Sequence, residues 1–148
     1  MPAPHVIVCE KSGRWAVAFR RALGKQSALV KETRSLPGCG RELAARPASV
    51  VAVEVAEGNL EAVIAALTDW SRRFPVSRVM SLMDPQLAGS ELVLREAGAM
   101  IVLHSPRELA AAMQFVHRHL AQAPAADLPL EQAAWASLPW ANWATKPA

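Results

Sequence analysis

Ser49-Val50-Val51-Ala52-Val53-Glu54-Val55 is the stretch on which the fold turns. It is rich in β-branched residues, carries a single charge and runs into Glu57-Gly58-Asn59, a turn composition. A strand this apolar is covered on both faces, so it belongs at the centre of a sheet. Directly after it, Leu60, Val63, Ile64, Leu67, Trp70 and Phe74 fall at helical spacing until Pro75 interrupts the pattern. Strand 49–55 and the helix that follows make one βα unit, and the same unit recurs on either side.

Upstream, His5-Val6-Ile7-Val8-Cys9 is a short buried strand ending in Glu10-Lys11-Ser12-Gly13. The period then changes to that of a helix, with Trp15, Ala18, Phe19, Ala22 and Leu23 on one side and Gly24 placed to end it. Ala28 to Arg34 alternates weakly and predicts an exposed edge strand, and Gly40 to Ala45 predicts at most two helical turns before Pro47. Downstream, Val76 to Met83 is another apolar run, closed by Asp84-Pro85, a cap and a first-turn proline. Leu87, Glu91, Leu94 and Arg95 suit a helix that Gly98 closes, and Ala99 to His104 is the fifth strand. Ser105-Pro106-Arg107-Glu108 reads as a capping box, with Leu109, Ala112, Met113, Val116 and Leu120 as the buried stripe behind it. Five strands alternating with five helices predict an α/β fold: a five-stranded, doubly wound parallel sheet of the flavodoxin type. An eight-unit barrel needs about 200 residues or more, beyond the 148 present.

Composition supports one domain over residues 1–121 with an extension over 122–148. Hydrophobic residues reach 52% against 20% charged, and the mean hydropathy is +0.14, ample for a core and incompatible with wholesale disorder. No apolar run reaches the roughly 18 residues that span a bilayer, and the first residues lack the basic leader and apolar segment of a signal peptide. A cytoplasmic protein with no membrane association is expected. Cys9 and Cys39 are too few for a disulfide framework, and neither has zinc-ligand company, which fits a reducing compartment. Cys9 reads as a small buried hydrophobe, and Cys39 falls in the loop-like Pro37-Gly38-Cys39-Gly40. The net charge of +3 is unevenly distributed, since residues 1–46 hold nine Lys or Arg and three acids, while residues 47–148 hold seven and ten. Arg14, Arg20, Arg21 and Lys25 form a basic stripe. With no helix-turn-helix, zinc motif or stacking aromatics beside it, the stripe is a solvated helix face and nucleic acid is not the expected partner.

Residues 5 to 121 resemble a response-regulator receiver domain. The resemblance rests on the five βα units, on a first strand ending in an acid, and on Gly98-Ala99-Met100-Ile101-Val102-Leu103 followed by Ser105-Pro106-Arg107-Glu108-Leu109. It implies an acid pair after strand one that holds a divalent metal and a phosphoryl-accepting Asp at the end of strand three. It also implies a hydroxyl after strand four and a Lys after strand five, the groups that neutralise and report the phosphoryl charge. Here Glu10 matches the first acid, but Lys11 stands in the second place. The Asp position falls on Val53, or on Glu54 if the register moves by one; Leu82 or Met83 takes the hydroxyl position, and His104 the Lys position. Valine cannot form an acyl phosphate, and glutamate is one methylene too long. The resemblance therefore implies a degenerate, non-enzymatic receiver whose pocket comprises Glu10, Lys11, Val53, Glu54, Met83 and His104, acting through protein contacts in signalling or assembly.

The competing reading is a metal-dependent phosphotransfer or hydrolytic enzyme that uses Glu10, Glu54 and Asp84, all at the carboxyl ends of strands. Against it, Asp84 serves as a helix cap and Lys11 is positioned to pair with Glu54. No cofactor is expected: the loop after strand one is a poor phosphate cradle, and the chain lacks Asp-x-His-x-x-Gly, Gly-x-Ser-x-Gly, Gly-x-Gly-x-x-Gly and P-loop motifs. His117 and His119 have no ligand spacing and are expected to face solvent. Two further expectations concern partners. Ala110, Ala111, Ala112 and Ala121 make the last helix small and smooth, suited to a homodimer contact through the fourth and fifth helices. The extension carries Trp135, Trp140 and Trp143, which either cover a strip of the domain or dock on a protein partner.

Overall fold

The computed structural model describes residues 2–123. The β-branched runs become strands β1 (Val6–Cys9), β2 (Val30–Thr33), β3 (Val50–Val55), β4 (Arg78–Met83) and β5 (Ala99–Leu103). They form one parallel sheet in the order β2-β1-β3-β4-β5. Helices α1 (Arg14–Leu23), α2 (Leu36–Ala45), α3 (Leu60–Arg73), α4 (Glu91–Ala97) and α5 (Leu109–Gln122) connect and cover it. The order reverses between β1 and β3, as in a doubly wound sheet, and β3 is central as its composition requires.

The pleat divides β3 between two cores. Val50 and Ala52 pack with Val8, Trp15, Phe19 and Val116 under α1 and α5. Val51, Val53 and Val55 pack with Cys39, Leu43, Leu67 and Leu94 under α2, α3 and α4. Because side chains alternate along a strand, one uninterrupted apolar run feeds both layers.

Local chemistry sets the element ends. Gly24 and Gly98 both end helices with positive φ. Asp84 Oδ1 accepts from the Gln86 amide at 3.0 Å, with Pro85 next in the chain. Here the cap opens a 3-10 turn, Pro85–Ser90, so α4 starts at Glu91 rather than near Leu87. Helix α2 begins at Leu36 and not at Gly40, since Ser35 Oγ accepts from the Gly38 amide at 3.1 Å and Pro37 fits the first turn. Cys39 is consequently helical and fully buried, not a loop residue. Gly40 lets α2 approach α3, because a Cβ there would lie 3.4 Å from Trp70 Nε1.

Four smaller expectations are corrected. In α1 the buried alanine is Ala16, and Ala22 faces solvent. Ser105 Oγ caps the Arg107 amide, but Glu108 accepts from the His104 amide instead of closing the box on Ser105. Ala112 lies in the core, leaving Ala110, Ala111 and Ala121 on the surface of α5. His119 is half-buried, with Nε2 2.6 Å from the Ala48 carbonyl oxygen, so it ties α5 to the chain entering β3, whereas His117 is exposed as expected.

Candidate functional site

In a parallel sheet the loops at the carboxyl ends of the strands gather on one side, and a crevice opens where the strand order reverses. Glu10 stands there, immediately after β1. It is only 2% exposed, and its carboxylate is fully engaged: Oε2 accepts from the Trp15 amide at 2.9 Å and Oε1 from the Ala16 amide at 2.8 Å. Gly13, at φ +82°, precedes α1 and has no side chain to cap it, so Glu10 reaches forward to supply the cap. A carboxylate against free amides at the positive end of a helix is held by charge-assisted bonds.

Arg34, just beyond β2, holds this loop from the other side. Its Nη1 donates to the carbonyls of Glu10, at 3.2 Å, and Lys11, at 2.9 Å. Lys11 is exposed and, among the described residues, forms no ion pair, so the expected Lys11–Glu54 pair is absent. The loop backbone is tied to Arg34, and the Glu54 backbone carbonyl accepts from Asn59 Nδ2 at 2.9 Å.

Glu54 is half-buried and separates two cavities. A depression of ≈ 520 Å³ is lined by Arg14, Trp15, Glu54, Met83, Asp84 and His104, among others. A cleft of ≈ 180 Å³ on its other side is lined by Cys9, Glu10, Lys11, Arg34 and Glu54, among others. The structure thus places Met83 and His104 with Glu54 in one cavity, and Glu10 and Lys11 with Glu54 in the other. Val53 lines neither. It is fully buried on the α2–α3–α4 side of the sheet, and of the two register alternatives only Glu54 lines the site. Leu82 and Met83 both border the depression and bring no hydroxyl.

Among the described residues no three or more His, Cys, Asp or Glu are grouped to hold a metal. Of the three acids in the enzymatic reading, Glu10 caps α1 and Asp84 caps the turn after β4. Sequence reasoning missed Arg34, Trp15 and Asn59 as organisers of these loops. Only the basic character of Arg34 beside a strand end, and the turn propensity of Asn59, hinted at them.

His104, at the end of β5, points toward α4, with Nε2 3.5 Å from Glu91 Oε2. Arg95 donates to Glu91 Oε1 from Nη2 at 2.8 Å and from Nε at 3.1 Å. The Arg95 bonds first, and His104 second, hold the Glu91 carboxyl below the usual carboxylate range. A carboxyl whose pKa is lower in the folded than in the unfolded chain stabilises the fold at neutral pH, and that contribution is lost as pH falls through the lowered value. Glu91→Gln is expected to flatten this acid limb, its melting temperature falling less than the wild type's between neutral and acid pH. Parallel falls would show that the cluster contributes nothing.

No family model and no curated protein sequence matches this chain. Solved structures do match in fold. A CheY-like protein (tadZ) from Pseudomonas aeruginosa superposes with a TM-score of 0.63 at 16% identity, covering 76% of this chain and 98% of that one. A response regulator from Thermotoga maritima gives 0.63 at 20% identity, with 80% and 98% covered. A putative pilus assembly-related protein from Burkholderia pseudomallei gives 0.56 at 20% identity, with 84% and 93% covered. The described domain therefore has the CheY-like receiver fold. Among the described residues no helix is long and apolar enough to cross a membrane.

Proposed function

We propose that this chain is a degenerate receiver that acts by protein contact, in signalling or assembly, without phosphotransfer. The observation that carries the reading is the state of Glu10. The acid standing where a receiver's metal-binding pair is expected has both oxygens bonded to the amides of Trp15 and Ala16, and its neighbour is the cation Lys11. Glu54 beside the depression is the wrong length for the phosphoacceptor, and Met83 and His104 replace the hydroxyl and lysine. The fold shared with a response regulator, and with proteins described as CheY-like and pilus assembly-related, fits a setting in signalling or assembly.

The contact surface in this reading has two parts. Leu92, 67% exposed, and Val93 on α4 lie near Met100 in the chain, which is exposed on the edge strand β5, and all three are large apolar side chains facing water. Helix α5 offers Ala110, Ala111 and Ala121 as its share of a homodimer surface formed with the fourth helix. The extension over 122–148 supplies the second part, with Trp135, Trp140 and Trp143 as partner-docking anchors; these lie outside the described residues. The basic stripe of α1 is a solvated face in this account, with Arg20 Nη1 3.1 Å from Glu32 Oε1, and nucleic acid is not a partner. A reducing, cytoplasmic setting completes the proposal.

The test is incubation of the full chain with acetyl phosphate and Mg²⁺, followed by intact mass and thermal melting. No gain of a phosphoryl group and no Mg²⁺-dependent rise in melting temperature are expected. A phosphoryl adduct on Glu54 would overturn the proposal in favour of the enzymatic reading.

A further inference from the structure

The two cysteines, 30 residues apart in sequence and read separately as a buried hydrophobe and a loop residue, meet in the fold. Cys9 ends β1 and is paired in register with Thr33 at the end of β2. Cross-strand neighbours in a parallel sheet share a face, and here that face lies under α2. The first turns of α2 rest on it: a Cβ at Gly38 would lie 3.9 Å from Thr33 Cβ, and Cys39 is the next residue. Cys9 and Cys39 belong to one buried cluster, and both are free thiols.

The pair is asymmetric. Cys39 is fully buried, whereas Cys9 keeps 6% exposure and lines the ≈ 180 Å³ cleft with Lys11 and Arg34. The first proton leaves such a pair more readily than from an isolated thiol, because the remaining S–H donates to the thiolate. That interaction with Cys39 holds Cys9 down to about 7, while the same interaction and burial push Cys39 up. The sulfur that ionises more readily is the one on the cleft wall.

We propose that Cys9 and Cys39 are a redox dithiol, which a peroxide entering the cleft oxidises to an intrachain disulfide. The Cys9 thiolate attacks one peroxide oxygen, the O–O bond breaks, and the departing hydroxide takes a proton and leaves as water. The resulting Cys9 sulfenic acid is attacked by the Cys39 sulfur, an S–S bond forms, and the hydroxyl leaves with the Cys39 proton as the second water. Two thiols are oxidised and one peroxide is reduced. In a reducing compartment such a bond is transient, which is the behaviour of a sensor rather than a staple. The disulfide would clamp the start of α2 to the end of β1, beside the loop that carries Glu10 and Lys11.

The test treats the full chain with hydrogen peroxide, then denatures, alkylates and maps it without reduction. The expected product is one species in which Cys9 and Cys39 are linked within one chain, neither takes up alkylating agent, and dithiothreitol restores both. It should melt above the reduced form, because the bridge constrains the unfolded chain. In Cys39→Ser and Cys39→Ala no bridge should form, and dimedone should capture the Cys9 sulfenic acid. Two free thiols after peroxide that oxidises a cysteine peptide control would overturn the proposal. So would a bridge between two chains, a bridged form melting below the reduced one, or no dimedone adduct on Cys9 in either variant.

Discussion

Glu10→Ala is expected to lower the stability of the fold by about 3 kcal/mol, a fall in melting temperature of about 10 °C for a domain of this size. The residue is buried, and its two oxygens take the amides of Trp15 and Ala16. Alanine leaves both donors without their partner beneath the loop and removes the charge that faces the helix dipole. Glu10→Gln keeps one acceptor oxygen and turns an amide nitrogen toward the other donor, so it should lose about half as much. The same pair of variants separates the two functional readings. A metal ligand removed from the chain leaves the metal-free protein about as stable as before and abolishes a Mg²⁺-dependent shift. A helix cap removed destabilises the protein whether or not Mg²⁺ is added. Thermal melts of the three proteins with and without Mg²⁺ decide between them, and an unchanged melt for Glu10→Ala would refute the capping role.

Gly98→Ala is expected to cost about 3 kcal/mol, for two reasons that can be measured apart. Gly98 turns the chain from α4 into β5 with φ +128°, a conformation L side chains rarely adopt, and its amide closes the helix on the Arg95 carbonyl at 3.1 Å. A Cβ added there would also collide with Ser71 Oγ on α3, whose single proton is shared between the carbonyl oxygens of Leu67, at 2.8 Å, and Ala97, at 3.1 Å. Ser71→Ala removes that oxygen at a cost of about 1 kcal/mol and should make the second substitution milder. The double variant is expected to be more stable than the sum of the singles by about 1 kcal/mol, read from denaturant midpoints. Strict additivity would place the whole cost in the backbone angle and none in the α3 contact.

The course of the chain was legible in its residues because burial leaves a period. Val50 to Val55 announced a strand covered on both faces, and Leu60 to Phe74 announced the helix after it. Gly24 and Gly98 marked helix ends, since only glycine takes their φ angles without strain. Asp84-Pro85 and Ser105-Pro106 marked starts, because capping depends on side chains within a few residues of the amides they satisfy. From such signals the alternation of five strands and helices followed, and with it the sheet that the receiver fold shares.

What the tertiary structure alone decided is which loop atom meets which partner. Glu10 read as the first acid of a degenerate receiver pair or as one of three acids in an enzymatic site; only the path of the chain through Gly13 sets its oxygens on the amides of Trp15 and Ala16. Val53 and Glu54 were interchangeable within one residue of register, until the pleat put Val53 beneath α2, α3 and α4 and left Glu54 between the two cavities. Cys9 and Cys39 lay 30 residues apart, and His119 lay 71 residues from the Ala48 carbonyl it meets. Periodicity records which face of an element avoids water, a property each residue carries wherever its partner lies. Contacts between loops at the ends of parallel strands depend on the strand order and on how far each helix rides along the sheet. Those are settled by the packing of the whole core and leave no repeat in the chain to read.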